Sequence, residues 1–263
     1  MKRAAVEPDD WDGHWTDYAD SATRNPAQAM RRRVIRSLLR IEDGRARILD
    51  IGCGQGDLIA DMSLRHPQAE LRGIDYSHHG LEVARQKVPG ATFMQRDLLS
   101  PDRPPSDQAA WATHAICSEV LEHVDEPQTL LANARAYLAH GCRLVVTVPG
   151  GPMSAFDRHI GHRRHFNVGT LHRLLIDSGF AVEEVTGVGF PLFNLYRLAV
   201  IGRGRRLVHD VLGGRRRRPS ASFPARLAMA GFRLVLAAPQ PHARWGWQLA
   251  AVARVEAEIG IPC

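Results

Sequence analysis

Residues 48–57 read ILDIGCGQGD. An apolar run ends in three glycines at alternate positions, Gly52, Gly54 and Gly56, and a second apolar stretch, LIADMSL (58–64), follows at once. Glycines at such a place let the chain turn tightly and let backbone N–H groups approach a ligand. A strand that runs into such a turn and out into a helix is half of a strand–helix–strand unit.

The alternation continues along the chain. ELRGID (70–75) reads as a strand, HHGLEVARQKV (78–88) as a helix, and ATFMQ (91–95) and ATHAIC (112–117) as strands. A helix is expected over 127–140, a strand at RLVVTV (143–148), a helix at TLHRLLIDSG (170–179) and a strand at AVEEVTGV (181–188). Upstream, NPAQAMRRRVIRSLLR (25–40) opens with an Asn cap and Pro at the first helical position. Residues 190–246 break the rhythm with Arg- and Pro-punctuated amphipathic stretches before WQLAAVARV (247–255), strand-like again. Short apolar strands alternating with amphipathic helices predict an α/β fold, a doubly wound Rossmann-like sheet of seven strands with a helical insertion before the last strand. The expected organisation is an N-terminal helical region (1–45), a ligand-binding Rossmann-like core (46–189), a helical insertion or cap (190–246) and a final strand with the C-terminus (247–263).

Charge is uneven. The net charge of +6 is concentrated in Arg31–Arg33, Arg203 to Arg206 and Arg215 to Arg218. Such runs suit anionic partners, nucleic acid or an anionic membrane face, as well as a plain solvated surface. Cys53, Cys117, Cys142 and Cys263 form no CxxC pair and read as buried reduced thiols. The acidic, polar N-terminus is not a signal peptide, and no apolar run reaches the length of a membrane span. A cytoplasmic chain, in places peripheral to a membrane through 190–218, is the expectation.

Carboxylates mark the strand ends. Asp50 stands two residues before Gly52, and Asp75 ends the second strand, 19 residues past Gly56. An acid at that second place bonds ribose hydroxyls. The glycines are spaced GxGxG rather than GxGxxG, and Asp50 would repel a pyrophosphate. It suits a ligand with a cationic amino group near the loop, such as the methionyl part of S-adenosylmethionine. Asp97 follows the third strand, where its carboxylate can accept from an adenine amino group; Ser118 and Glu119 follow the fourth. In SEVLEHV (118–124), a helical conformation would place Glu119, Glu122 and His123 on one face. That set can be a cation site, a proton acceptor with neighbours, or a support for surrounding loops.

As an ordered series, ILDIGCGQGD, GIDYS, RDLL, SEVLEHVDEP and RLVVTVP resemble the class I S-adenosylmethionine-dependent methyltransferases, nearest to the ubiquinone-biosynthesis-type O-methyltransferases. The resemblance implies that Gly52, Gly54 and Gly56, with Cys53 among them and Asp50 ahead, hold the methionyl end. It implies that Asp75 holds the ribose, Tyr76 packs on the adenine, Asp97 and Leu98 contact the adenine, and Ser118 and Glu119 lie near the sulfonium. NPAQAMRRR is similar to a segment whose Arg reaches the cofactor carboxylate, with Arg32 as the match. Glu119, Glu122 and His123 match a turn that can bind Mg²⁺ or another divalent cation, and His123, Glu122 and His162 are the candidate catalytic groups. The implied acceptor is a hydroxyl on a small-molecule or lipid-like metabolite. Small-RNA 2′-O-methylation, and cofactor binding without catalysis, are the alternative readings.

Overall fold

The computed structural model describes Asp12 and residues 26–42, 45–213 and 245–256. Helix α1 (Pro26–Leu39) leads into strand β1 (Arg47–Ile51). Then come α2 (Asp57–Arg65), β2 (Glu70–Asp75), α3 (His78–Lys87), β3 (Thr92–Gln95) and β4 (Ala112–Ser118). α4 (Pro127–Arg135), β5 (Leu138–Pro149), α5 (Ala155–His159), α6 (Val168–Asp177) and β6 (Phe180–Val188) follow. α7 (Leu192–Gly213) and β7 (Gln248–Val255) complete the described elements. The seven described strands form one sheet in the order β3-β2-β1-β4-β5-β7-β6, Rossmann-like as expected. All neighbours are parallel except β7, which runs antiparallel to both β5 and β6.

The strands are apolar on both faces because helices cover both. Leu49, Ala115, Leu144 and Val146 face Leu130 and Leu131 of α4 and Leu171 and Leu175 of α6. Their alternates Ile48, Ile116 and Val145 face Ile35 and Leu39 of α1, Ile59 and Met62 of α2 and Leu81 of α3. Each such Leu or Ile, fully removed from water, contributes about 2 kcal/mol. Cys53, Cys117 and Cys142 are buried free thiols; Cys263 lies outside the described residues.

The sequence misplaces one boundary. The helix expected to run to residue 140 stops at Arg135, and β5 begins at Leu138. The start of β4 requires partners there: Leu138 pairs with Ala112, and the Tyr137 carbonyl accepts from the amides of Trp111 and Ala112. Local helical periodicity yields to the ladder. In the stretch expected to be inserted at 190–246, α7 is described and bends at Gly204, which adopts φ 45°. Residues 214–244, with Arg215–Arg218 and ARLAMAGFRLVLAA, lie outside the described residues, as do residues 1–11 and 13–25. Among the described residues, no helix is long and apolar enough to cross a membrane.

Candidate active site at the ends of the parallel strands

β1 is flanked by β2 on one side and β4 on the other. The connections leave β1 and β4 in opposite directions, which opens a crevice at their C-terminal ends. The glycine loop lines it. Gly52, Gly54 and Gly56 all adopt positive φ, at 74°, 49° and 72°. The loop is fixed by the Ile74 carbonyl, which accepts from the amides of Gly52 (2.8 Å) and Cys53 (3.0 Å). Gly52 is also needed for packing, since a Cβ there would lie 2.3 Å from Val120 Cγ2.

Asp75 braces the same loop. Its Oδ2 accepts from the Gly54 amide at 2.7 Å and its Oδ1 from the Ser77 amide at 2.8 Å. Ser77 in turn caps α3 through the Gly80 amide, and Asp12 accepts from the Ser77 hydroxyl and the His79 amide. Burial, followed by the charge of Asp75, pushes the Asp50 carboxyl up to about 7. Burial also raises Asp75, against the pull of its amide donors. These two carboxyl groups, each raised by burial, fit a positively charged ligand such as the methionyl part of S-adenosylmethionine. Tyr76 is half exposed beside Asp75, while Leu98 is buried and Asp97, exposed, accepts from the Leu99 amide.

SEVLEHV is not a helix. Ser118 ends β4, Glu119 stands at φ 58° and residues 121–123 form a turn. The set Glu119, Glu122 and His123 is therefore split. Glu119 turns toward α1 and β7: its Oε2 lies 3.0 Å from the Arg31 guanidinium and its Oε1 accepts from Gln248 Nε2 at 2.9 Å. Arg31 Nε also donates to Gln248 Oε1, at 2.9 Å. Ser118 Oγ and Thr147 Oγ1 are 2.8 Å apart. Arg31, rather than its neighbour Arg32, makes these contacts. The register of α1 carries the signal, because Arg31 shares a face with buried Ala27, Val34 and Ile35. Gln248 carried no such signal, since it is brought in by strand pairing alone.

Glu122 and His123 turn the other way, toward the loop after α5. Glu122, His123 and His162 each offer a ligand atom, all within 4.8 Å of one another. The His123 and His162 rings meet edge to face, 4.7 Å between centroids. Glu122 is fully buried, and among the described residues neither of its oxygens accepts a hydrogen bond. Burial, then the charge of Glu119, raises its carboxyl well above the usual range. Burial, then His123, lowers His162 to about 3, so its imidazole is neutral.

Asp157 supports this loop. Its side chain closes a capping box with Ser154 at the start of α5 and takes both guanidinium nitrogens of Arg197 from α7, at 3.0 and 2.7 Å. Burial works against its ionised form, but Arg197 and Ser154 outweigh it and hold the carboxyl at about 2. Of the arginines that follow His162, Arg163 ion-pairs with Asp125, and Arg164 donates to the Asp125 carbonyl at 2.9 Å. Sequence reasoning offered Asp157 and His165 only as members of the His-rich stretch 157–165, and it did not identify Arg197, whose role depends on a contact across 40 residues.

Residues 24–185 match the family model of a methyltransferase domain. The trans-aconitate 2-methyltransferase of Methylobacterium nodulans is 32% identical over 143 residues, 53% of this chain and 50% of that protein. The ubiquinone biosynthesis O-methyltransferase of Aeromonas salmonicida is 28% identical over 169 residues, 58% of this chain and 70% of that protein. The chain spans about half the length of the trans-aconitate methyltransferases it matches. Phosphoethanolamine N-methyltransferase 2 of Haemonchus contortus, solved with S-adenosyl-L-methionine, shares the fold. Its TM-score is 0.55 at 15% identity, over 92% of this chain and 60% of that one.

Proposed function

The chain belongs to the class I S-adenosylmethionine-dependent methyltransferases, and from that membership we propose that it methylates an oxygen of a small organic or lipid-like acceptor. The observation that carries the acceptor reading is the buried Glu122–His123–His162 cluster beside the end of β4. S-adenosylmethionine, when bound, supplies an electrophilic methyl group. The glycine loop, Asp50 and Asp75 would hold it, with Ser118 near the reacting end.

A hydroxyl acceptor must lose its proton as its oxygen bonds to the methyl carbon and the carbon–sulfur bond breaks. A neutral imidazole is suited to receive that proton. His162 is neutral through burial and His123 and so has a lone pair to offer, and the nearby charge of Asp157 favours the proton it would gain. Positioning supplies much of the remaining rate, since the displacement must be in line. The names of the relatives contain an acid, trans-aconitate, and a quinone, ubiquinone. A carboxylic acid or a phenolic hydroxyl is therefore the acceptor class to test first.

A second reading is favoured by the unpartnered oxygens of Glu122. Glu122, His123 and His162 form a donor set that fits Mg²⁺ or another divalent cation. A cation there would lower the pKa of an acceptor hydroxyl. Exposed Leu195 and Leu198 on α7, with Arg203 beyond them, support a lipid-like acceptor delivered at an anionic surface.

The test is transfer of labelled methyl to panels of organic acids, phenols, lipids and RNA, with and without chelator. Transfer to a phenol, reduced by an order of magnitude or more in His162→Ala, is expected, whereas a carboxylic acid, already ionised near pH 7, should lose little in that variant. Transfer to RNA alone would replace the small-molecule reading, and full activity in chelator would remove the cation.

A further inference from the structure

The loop after α5 carries a chain of hydrogen bonds whose direction can be assigned. His165 Nδ1 lies 3.0 Å from the Gly151 carbonyl oxygen. A carbonyl oxygen only accepts, so the proton of that bond sits on His165 Nδ1. In the neutral ring Nε2 is then bare. That atom lies 3.2 Å from His162 Nδ1. Two ring nitrogens at this distance share one proton, and it comes from His162, whose Nδ1–H donates. In neutral His162 the remaining nitrogen, Nε2, is left with its lone pair.

The surroundings keep this direction. Asp157 Oδ2 lies 3.8 Å from His165 Nε2, outside hydrogen-bond range. It already accepts from the Ser154 amide and from Arg197, both at 2.7 Å.

We propose that His165 is a positioning residue for His162. It passes the polarity of the Gly151 carbonyl through two imidazoles, fixes His162 as its Nδ1–H tautomer, and makes His162 Nε2 the electron-pair donor of the Glu122–His123–His162 cluster. The proposal deepens the reading given under Proposed function, and it holds whether that lone pair takes a proton or a cation.

The test is the tautomeric state of the full chain, labelled with ¹⁵N at histidine, without cofactor, metal or acceptor, near pH 7.5. Long-range proton–nitrogen correlations should place the proton on Nδ1 in both His162 and His165. A proton on His162 Nε2 in the unmodified chain would overturn the proposal. His165→Phe keeps a planar ring but deletes both the donor and the acceptor. There His162 should become a mixture of tautomers, and kcat should fall about tenfold with KM for the acceptor unchanged. His165→Gln keeps a donor and an acceptor on neighbouring atoms and should restore most of both readouts. An unchanged tautomer in His165→Phe sinks the idea. If His165→Phe fails to fold, the unmodified spectrum decides alone. The expected tautomers in a chain that methylates no acceptor would support the positioning role and refute only the functional reading.

Discussion

Asp50 is a carboxyl group held out of water with a second carboxyl, Asp75, raising its pKa further. A raised pKa means that the folded chain binds this proton more tightly than the unfolded one. Below about pH 4 both states are protonated and Asp50 costs nothing. Between about pH 4 and 7 the unfolded chain releases its proton first, so stability falls as pH rises. A shift from 3.8 to about 7 amounts to about 4 kcal/mol across that window. Asp50→Asn should remove the slope. Denaturant titrations of the ligand-free chain should show the variant level with the parent at pH 4 and more stable at pH 8; parallel curves would refute the burial argument. Gly52 makes a second prediction. Gly52→Ala must hold φ 74° and bring its Cβ against Val120, which together cost about 2–4 kcal/mol. The cost should shrink in a Val120→Ala background, so a double-mutant cycle should show coupling. The sequence revealed these residues because strand, glycine and acid spacing is local. It did not show that Glu119 leaves its neighbours for Arg31 and Gln248. Positive φ at a glutamate has no sequence mark, and the partners come from opposite ends of the chain.

An ion pair joins α7 to the site. Arg197 reaches the buried Asp157 at the start of α5, and Asp157 in turn orders the loop that carries His162 and His165. Removing one partner of a buried ion pair leaves an uncompensated charge. Arg197→Met should therefore lower stability at pH 7 by about 3–5 kcal/mol. Arg197→Met with Asp157→Asn should recover much of that. Asp157 is held at about 2, so its contribution is present above about pH 4 and is lost as pH falls toward 2. The loss in Arg197→Met should accordingly be largest at neutral pH and small near pH 2, by chemical denaturation. α7 was legible as an amphipathic segment. Its attachment was not, because an Arg on an amphipathic helix is most often a solvated one. The misplaced helix end at Arg135 has the same origin: helical spacing is read locally, whereas the Ala112–Leu138 pairing is not.

At the scale of the whole molecule, the seven-strand order follows from alternating strand and helix patterns, and the expectation that the last strand rejoins the sheet holds. The pattern did not reveal that β7 enters between β5 and β6. A chain ending before Gln248 loses the only ladder that joins β6 to the rest of the described sheet. Such a truncation should give no cooperative unfolding transition, with near-ultraviolet circular dichroism absent, and a folded product would contradict the role assigned to β7. The same insertion orders events during synthesis. The six other described strands leave the ribosome before β7, and until it arrives β5 waits without the partner that flanks it in the described sheet. Gln248, which ties Glu119 to Arg31, arrives with it. The nascent chain therefore completes its ligand crevice only once β7 has been made, when segments far apart in the sequence first meet.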